Sequence, residues 1–329
     1  CGDRATASTT PEALQPTIGE GLSTGANLKS KTAGNDEKGQ HRKWNTDGLW
    51  GWGAADAGTV VTPEGLVRTW FDMISERAVN IADGTFEQTP GGEDITKAYV
   101  SAQGHDLQQL AQKFLLGAIT FNQGADDYTD YDLTDFQGKD LIAEKKGLYG
   151  DNTALKEGKN YTALEHGWDE GFGYFGSARS LDFGDLAAVS EGSAWDRNQD
   201  GLIDLLSEAN FGAAVLAARL DISAVTRTNF TLDIFQALIN GRHIISSANA
   251  DLTMDEFNRL IVERNRAIDG WETVLVGSAI ASMNRVIQTL KRPLQFENQG
   301  VVFEFKKERY LEGIQNREVD MGRQCNNCN

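Results

Sequence analysis

Residues 164–176, LEHGWDEGFGYFG, set four ionisable side chains, Glu165, His166, Asp169 and Glu170, among Trp168, Phe172, Tyr174 and Phe175. On a helix, His166 and Glu170 are one turn apart, as are Glu165 and Asp169, and His166 and Asp169 are also surface neighbours. The spacing predicts that one turn directs an imidazole and carboxylates toward a shared space. Imidazole with carboxylate suits iron, zinc or manganese when other helices supply further ligands. The alternative is a framework of i,i+4 pairs and buried hydrogen bonds, completed by Arg and Tyr from other helices. Arg264 is the expected partner, because it falls on an apolar stripe between Ile261 and Ile268, and a buried guanidinium needs a carboxylate such as Asp169 or Glu170. Breaking a buried ion pair costs about 3–5 kcal/mol, so framework residues would be essential without touching a ligand.

A second constellation is WDRNQDGLIDLLSE. Asp196, Asn198, Asp200, Gly201 and Asp204 match oxygen-donor and turn positions of a calcium loop, with Ile203 at its apolar position. Ser207 stands where the loop's last acidic ligand belongs, and Glu208 comes one residue late. A one-residue adjustment to Glu208, or the Leu202 carbonyl with water, completes the expected shell. The other reading is an Asx-rich turn that caps the next helix. A third stretch, GADDYTDYDLTDFQGKD, gathers Asp126, Asp127, Asp130, Asp132 and Asp135, and reads as a solvated acidic loop. His41, His105 and His243 are isolated, and the chain carries no nucleophile elbow, P-loop, H-E-x-x-H or dinucleotide fingerprint.

The elements that must position these groups are helices. VTPEGLVRTWFDMISERAVNIADG opens on an N-cap, Thr62, and a first-position Pro63, and closes on Gly84. HDLQQLAQKFLLGAITFNQ aligns Leu107, Leu110, Phe114, Ala118 and Phe121 on one face, and Gly117 within it points to a close helix contact. Further helices are expected over about 161–180, 208–220 and 229–247. The last starts at a capping box, Thr253 with Glu256, and a staple, Leu252 with Phe257, and runs to Pro293 with a kink expected at Gly270. VVFEF is the best strand signal. The fold class is therefore mainly α, a helical bundle or two packed bundles.

Residues 1–58 lack a hydrophobic period and read as a linker docked by Trp44, Trp50 and Trp52, followed by a helical domain over 59–315 and a tail over 316–329. The net charge of −17 argues against a nucleic-acid partner and favours attraction of cations. No apolar run is long enough to predict a membrane-spanning helix. The segment CGDRATASTTPEALQPT reads as the start of a mature bacterial lipoprotein with Cys1 acylated. Acyl chains contribute about 0.8 kcal/mol per buried CH₂, so several chains hold a protein to a membrane. Cys325 and Cys328 form a C-x-x-C too sparse for zinc and without the histidine that haem attachment needs; a small-loop disulfide is expected.

LEHGWDEGFGYFG resembles the EHxWDEAxGY signature of domain-of-unknown-function family 4856, bacterial envelope lipoproteins, with Gly171 in place of Ala. GHDLQQLAQKFLLGA, DRNQDGLIDLLSEANF and WETVLVGSAIASMNRVI are similar to further segments of that family, which spreads the likeness over most of residues 100–290. A looser resemblance is to imelysin-type proteins, helical, envelope-located and linked to iron uptake. His166 and Asp169 keep their His-x-x-acid spacing, although the signature's first Gly is missing and Asp replaces its Glu. Together with the residues above, the resemblance implies an outer-membrane lipoprotein, periplasmic or surface-exposed, that binds a metal or ligand at His166, Asp169, Glu170 and Glu165, in iron acquisition; the calcium loop is expected separately, from its own spacing. The rival reading is a surface lipoprotein that self-assembles or partners a membrane transporter. A third is a metallopeptidase-like hydrolase, for which the sequence supplies no second histidine and general base.

Overall fold

The computed structural model describes residues 6–8, 31–33, 62–133, 140–179, 185–192, 196, 199–204, 207–224, 227–248 and 250–291. VVFEF, Trp44, Trp50, Trp52, His41, Asp135, Asn198, Cys1, Cys325 and Cys328 lie outside them. By internal contacts the chain forms two units, 1–281 and 282–329. Of the second, the described residues are the final turns of the last helix.

The protein is mainly α-helical, a helical bundle with eight α-helices among the described residues. These are α1 (Pro63–Ala82), α2 (Leu107–Leu115), α3 (Leu141–Glu144), α4 (Ala163–Phe175), α5 (Leu186–Ser190), α6 (Gly212–Ser223), α7 (Phe230–Ser247) and α8 (Met254–Lys291). Two short strands, β1 (Thr6–Ser8) and β2 (Leu202–Asp204), pair antiparallel, with Ala7 opposite Ile203.

The cap signals hold locally. Thr62 Oγ1 accepts from Gly65 N at 3.0 Å and starts α1. Thr162 and Glu165 form a reciprocal capping box at the start of α4, and Gly176, with φ of 87°, closes that helix in the left-handed conformation. Thr253 and Glu256 do the same work before α8.

The second sequence helix departs from expectation. After α2 the chain continues as two π-helical segments, Leu116–Phe121 and Gln123–Tyr128. Each π turn closes i→i+5 and inserts a residue, so a face extrapolated at 3.6 residues per turn drifts off the core. Beyond the first π segment Gln123, Gly124 and Ala125 are buried; Leu110, in the regular α2, is exposed because α2 buries the Leu107 and Ala111 side instead. Gly117 faces open space, and the close contact falls at Gly124, where a Cβ would meet Trp271 Cζ3 at 2.7 Å. The acidic stretch is not a solvated loop in its described part. Asp126 and Asp127 lie in the second π segment, and Asp130 is buried, with Oδ1 accepting from Asp132 N at 2.9 Å.

The core gathers where α4, α6, α7 and α8 meet, around Trp168, Phe175, Ile234, Leu238, Leu260 and Trp271. Burying a large apolar side chain is worth about 1.5–3 kcal/mol, so Trp168 and Trp271, each 1% exposed, are major anchors of the bundle. Helix α8 spans 38 residues and continues through Gly270, whose bare Cα allows approach to Ile234; an added Cβ would lie 2.8 Å from Ile234 Cγ1.

Candidate functional site

Helix α4 buries Leu164, Trp168, Gly171 and Phe175, the i, i+4, i+7, i+11 stripe. That choice fixes where the four ionisable groups go. Each residue advances about 100° around a helix, so the Glu165/Asp169 pair and the His166/Glu170 pair stand about 100° apart. The expected shared space is therefore divided into two faces.

Glu165 and Asp169 face α7. Arg242 on α7 donates from Nη1 to Glu165 Oε1 and from Nε to Asp169 Oδ1, both at 2.8 Å. Glu165 Oε2 also accepts from Thr162 N at 2.9 Å, which ties the capping box to the ion-pair network. Desolvation raises the Asp169 pKa above its ordinary value, against the lowering pull of Arg242 and Arg179. Helix α7 comes close enough because residue 241 is glycine: a Cβ there would lie 2.0 Å from Trp168 Cζ2. Trp168 Nε1 donates to Leu238 O at 2.8 Å across the same contact.

His166 and Glu170 face the other way. His166 Nε2 lies 3.5 Å from Glu170 Oε1, and their side chains are 36% and 39% exposed. Tyr161 stacks on the imidazole with centroids 4.8 Å apart. Tyr128 lies beside the Glu170 carboxylate, stacks with Tyr174 at 5.7 Å and accepts from Lys31 Nζ at 2.8 Å. Burial first, then the Glu170 charge, drives the Tyr128 phenol far above its ordinary pKa; the same causes push Tyr174 up to about 12. The second π segment reaches this face because α4 presents Gly167 and Gly171 to it. A methyl at 171 would meet Thr129 Cγ2 at 2.9 Å. The arrangement offers one imidazole, one carboxylate and two phenols on an accessible edge.

Arg264 does not pair with Asp169 or Glu170. Its Nη2 donates to Ala125 O at 2.9 Å and its Nε to Thr129 O at 3.1 Å, and its guanidinium lies 5.3 Å from the Tyr131 ring centroid. It serves carbonyls at the end of the second π segment, where the last carbonyls of a helix lack intrahelical donors. Sequence reasoning missed Arg242 and Tyr128. The signal for Arg242 was its place beside Gly241, a small residue where two helices touch. For Tyr128 there was none, because its position depends on the π turns.

The Asp-rich loop is held by its own backbone. Asp196 accepts from Asp200 N at 3.1 Å and Gly201 N at 2.7 Å, and Asp200 Oδ1 from Leu202 N at 2.9 Å. Gly201 takes φ of 86°, which the turn requires. Glu208 Oε2 accepts from Asp204 N at 2.9 Å, and Asp204 Oδ2 from Ser207 Oγ at 2.7 Å. Among the described residues, no three His, Cys, Asp or Glu side chains are grouped so as to hold a metal ion by themselves. No helix among the described residues is long and apolar enough to cross a membrane.

A family model described as "Domain of unknown function (DUF4856)" matches residues 55–264. The chain belongs to this family. The match takes in α1 to α7, both faces of α4 and the Asp-rich loop, so the whole constellation is part of the DUF4856 domain. Comparison with curated proteins and with solved structures gives no match.

Proposed function

We propose that this DUF4856 protein is a lipid-anchored bacterial envelope protein that binds a cation, in free form or carried by a chelating ligand, at His166 and Glu170. The observation that carries the reading is the accessible His166–Glu170 pair at 3.5 Å, edged by Tyr128 and Tyr174. Imidazole, carboxylate and phenol suit iron, and imidazole with carboxylate also suits zinc. Two to four protein donors leave coordination positions to water or to a chelator, as befits a cargo that must be released. Asp169 and Glu165 act beside this site by holding α4 against α7 through Arg242. The proposed role in iron acquisition rests on the resemblance to imelysin-type proteins, and the proposed outer-membrane anchor at Cys1 on the lipoprotein-like residues CGDRATASTTPEALQPT. A structural calcium at Asp196, Asn198, Asp200, Leu202, Asp204 and Glu208 is a separate part of the proposal, supported by the turn at Gly201.

Metal analysis of the purified protein after exposure to ferric citrate and to zinc is the test. His166→Ala and Glu170→Gln should each lose the bound ion while melting as the parent does. Unchanged metal content in both variants overturns the site. The second reading, a structural lipoprotein that self-assembles or partners a transporter, is favoured by the double contact of Arg242, which makes half of the cluster a brace.

A further inference from the structure

The His166–Glu170 edge already faces a cation that the chain itself supplies. Lys31 Nζ donates to Tyr128 Oη at 2.8 Å. Tyr128 lies beside Glu170, and Asp127 is also close enough to act on its phenol. The ammonium arrives on a short segment, residues 31–33, that precedes α1 in the chain. Thr32 and Ala33 are buried there, at 4% and 2% exposure. Ala33 N donates to Ala118 O of the first π segment at 2.7 Å, and Ala33 O accepts from Glu64 N of α1 at 3.0 Å. These two bonds clamp a single residue between the first π segment and the start of α1. Lys31, two positions earlier, then reaches across to the second π segment.

A lysine ordinarily lays its stem on apolar surface and keeps its ammonium in water. Here the ammonium is spent on a phenol oxygen next to carboxylates, a place where local negative charge rewards any cation. That oxygen is also the phenol donor an iron ion held at His166 and Glu170 would use. A metal ion sits about 2.0–2.2 Å from a protein oxygen, and the ammonium already stands 2.8 Å from this one. Two cations on one oxygen would be only a few ångströms apart, where like charges repel and salt screens little. Removing Lys31 from the phenol frees the oxygen and leaves the carboxylates to the metal.

We propose that Lys31 is a resident cation of the binding edge, and that residues 31–33 form a strap which an incoming metal ion must displace. The proposal rests on the reading of His166 and Glu170 as a cation site and adds its regulation. With the strap seated, the ammonium answers the charge of Glu170 and Asp127, and more metal is needed to load the edge. Loading expels the ammonium and loosens the clamp on Ala33. The coupling is reciprocal: the factor by which the strap weakens metal binding is the factor by which metal weakens the strap. Whatever unseats residues 31–33 makes the edge a stronger binder, and loss of the metal lets the strap close again.

Zinc binding to the full chain, measured by calorimetry, tests the strap. Lys31→Met keeps most of the stem and should bind zinc about tenfold more tightly than the parent, within the usual span of coupling between sites. Lys31→Arg keeps a cation and should bind no more tightly than the parent. Ala33→Pro removes the N–H that holds Ala118 O without changing any charge, and should tighten zinc as Lys31→Met does. In the parent, saturating zinc should speed hydrogen exchange of the Ala33 amide by a similar factor. Zinc binding that is lost in His166→Ala but unchanged or weakened in Lys31→Met overturns the strap and leaves the site standing. Tightening in Lys31→Met without tightening in Ala33→Pro reduces the effect to bulk charge and also overturns the strap. No zinc binding by either the parent or Lys31→Met overturns both readings.

Discussion

Replacing Arg242 by Met removes the charge that spans Glu165 and Asp169 but keeps most of the aliphatic stem that packs on α4. The size of the effect follows from exposure. The Asp169 side chain is 49% exposed and that of Glu165 13%, with Arg242 at 29%. An exposed pair is worth about 0–1 kcal/mol, whereas stranding one partner of a buried pair costs about 3–5 kcal/mol. Glu165 lies near the buried limit, but Thr162 N still donates to its other oxygen, which softens the loss. Together the two arms give about 2–3 kcal/mol, most of it from Glu165. For a domain of this size that is a fall in Tm of about 5–10 °C. Thermal and urea unfolding measure the loss, and double-mutant cycles apportion it. Coupling of Arg242→Met with Glu165→Gln should exceed coupling with Asp169→Asn, and the double variant Arg242→Met/Glu165→Met should recover much of the stability. A loss under about 0.5 kcal/mol, or the larger coupling at Asp169, refutes the reasoning that this face of α4 is a brace.

Three further outcomes follow from particular contacts. Gly241→Ala gains about 1 kcal/mol of helix propensity but drives a methyl into the Trp168 ring, at an overpacking cost of about 1–3 kcal/mol, with about 1 kcal/mol more if the bond to Leu238 O breaks; the variant should melt lower with an altered near-ultraviolet tryptophan spectrum, and a stabilised variant contradicts the contact. Hydrogen bonds from Thr253 hold the Glu256 carboxyl below its ordinary pKa of 4.5, so its contribution to stability is present above that value and lost as pH falls through the lowered one; Thr253→Ala should cost about 1 kcal/mol of cap stability and return the Glu256 titration, followed by NMR, toward 4.5. Calcium should raise the melting temperature of the parent and not of Asp200→Ala, and an equal response in both removes the ion from the loop.

Much of the bundle was readable because its signals are local. Thr62–Pro63, the Thr253–Glu256 box and the 3.6-residue stripes need only near neighbours in the chain, and they placed α1, α7 and α8 close to their observed bounds. The segment after α2 was not readable, because π turns arise where tertiary packing rewards an extra residue per turn, and propensity does not encode that. The same cause misled the reading of the site. Spacing correctly made neighbours of His166 and Glu170, and of Glu165 and Asp169. It could not say which stripe of α4 would be buried, and burial of Trp168 is what sends the two pairs to different faces. Arg264 is half-buried and was wrongly given a carboxylate, since it serves carbonyls at the end of the second π segment, Ala125 O and Thr129 O, that the sequence does not place.

Paramagnetic line broadening by manganese(II), a hard cation that carboxylates bind, compares the two faces of α4 directly. Substoichiometric manganese should broaden resonances of His166, Glu170 and Tyr128 first, and His166→Ala should abolish that effect while Arg242→Met leaves it in place. Broadening centred on Glu165, Asp169 and Arg242, or spread evenly over the acidic surface, would contradict the division of the helix into a bracing face and a binding face.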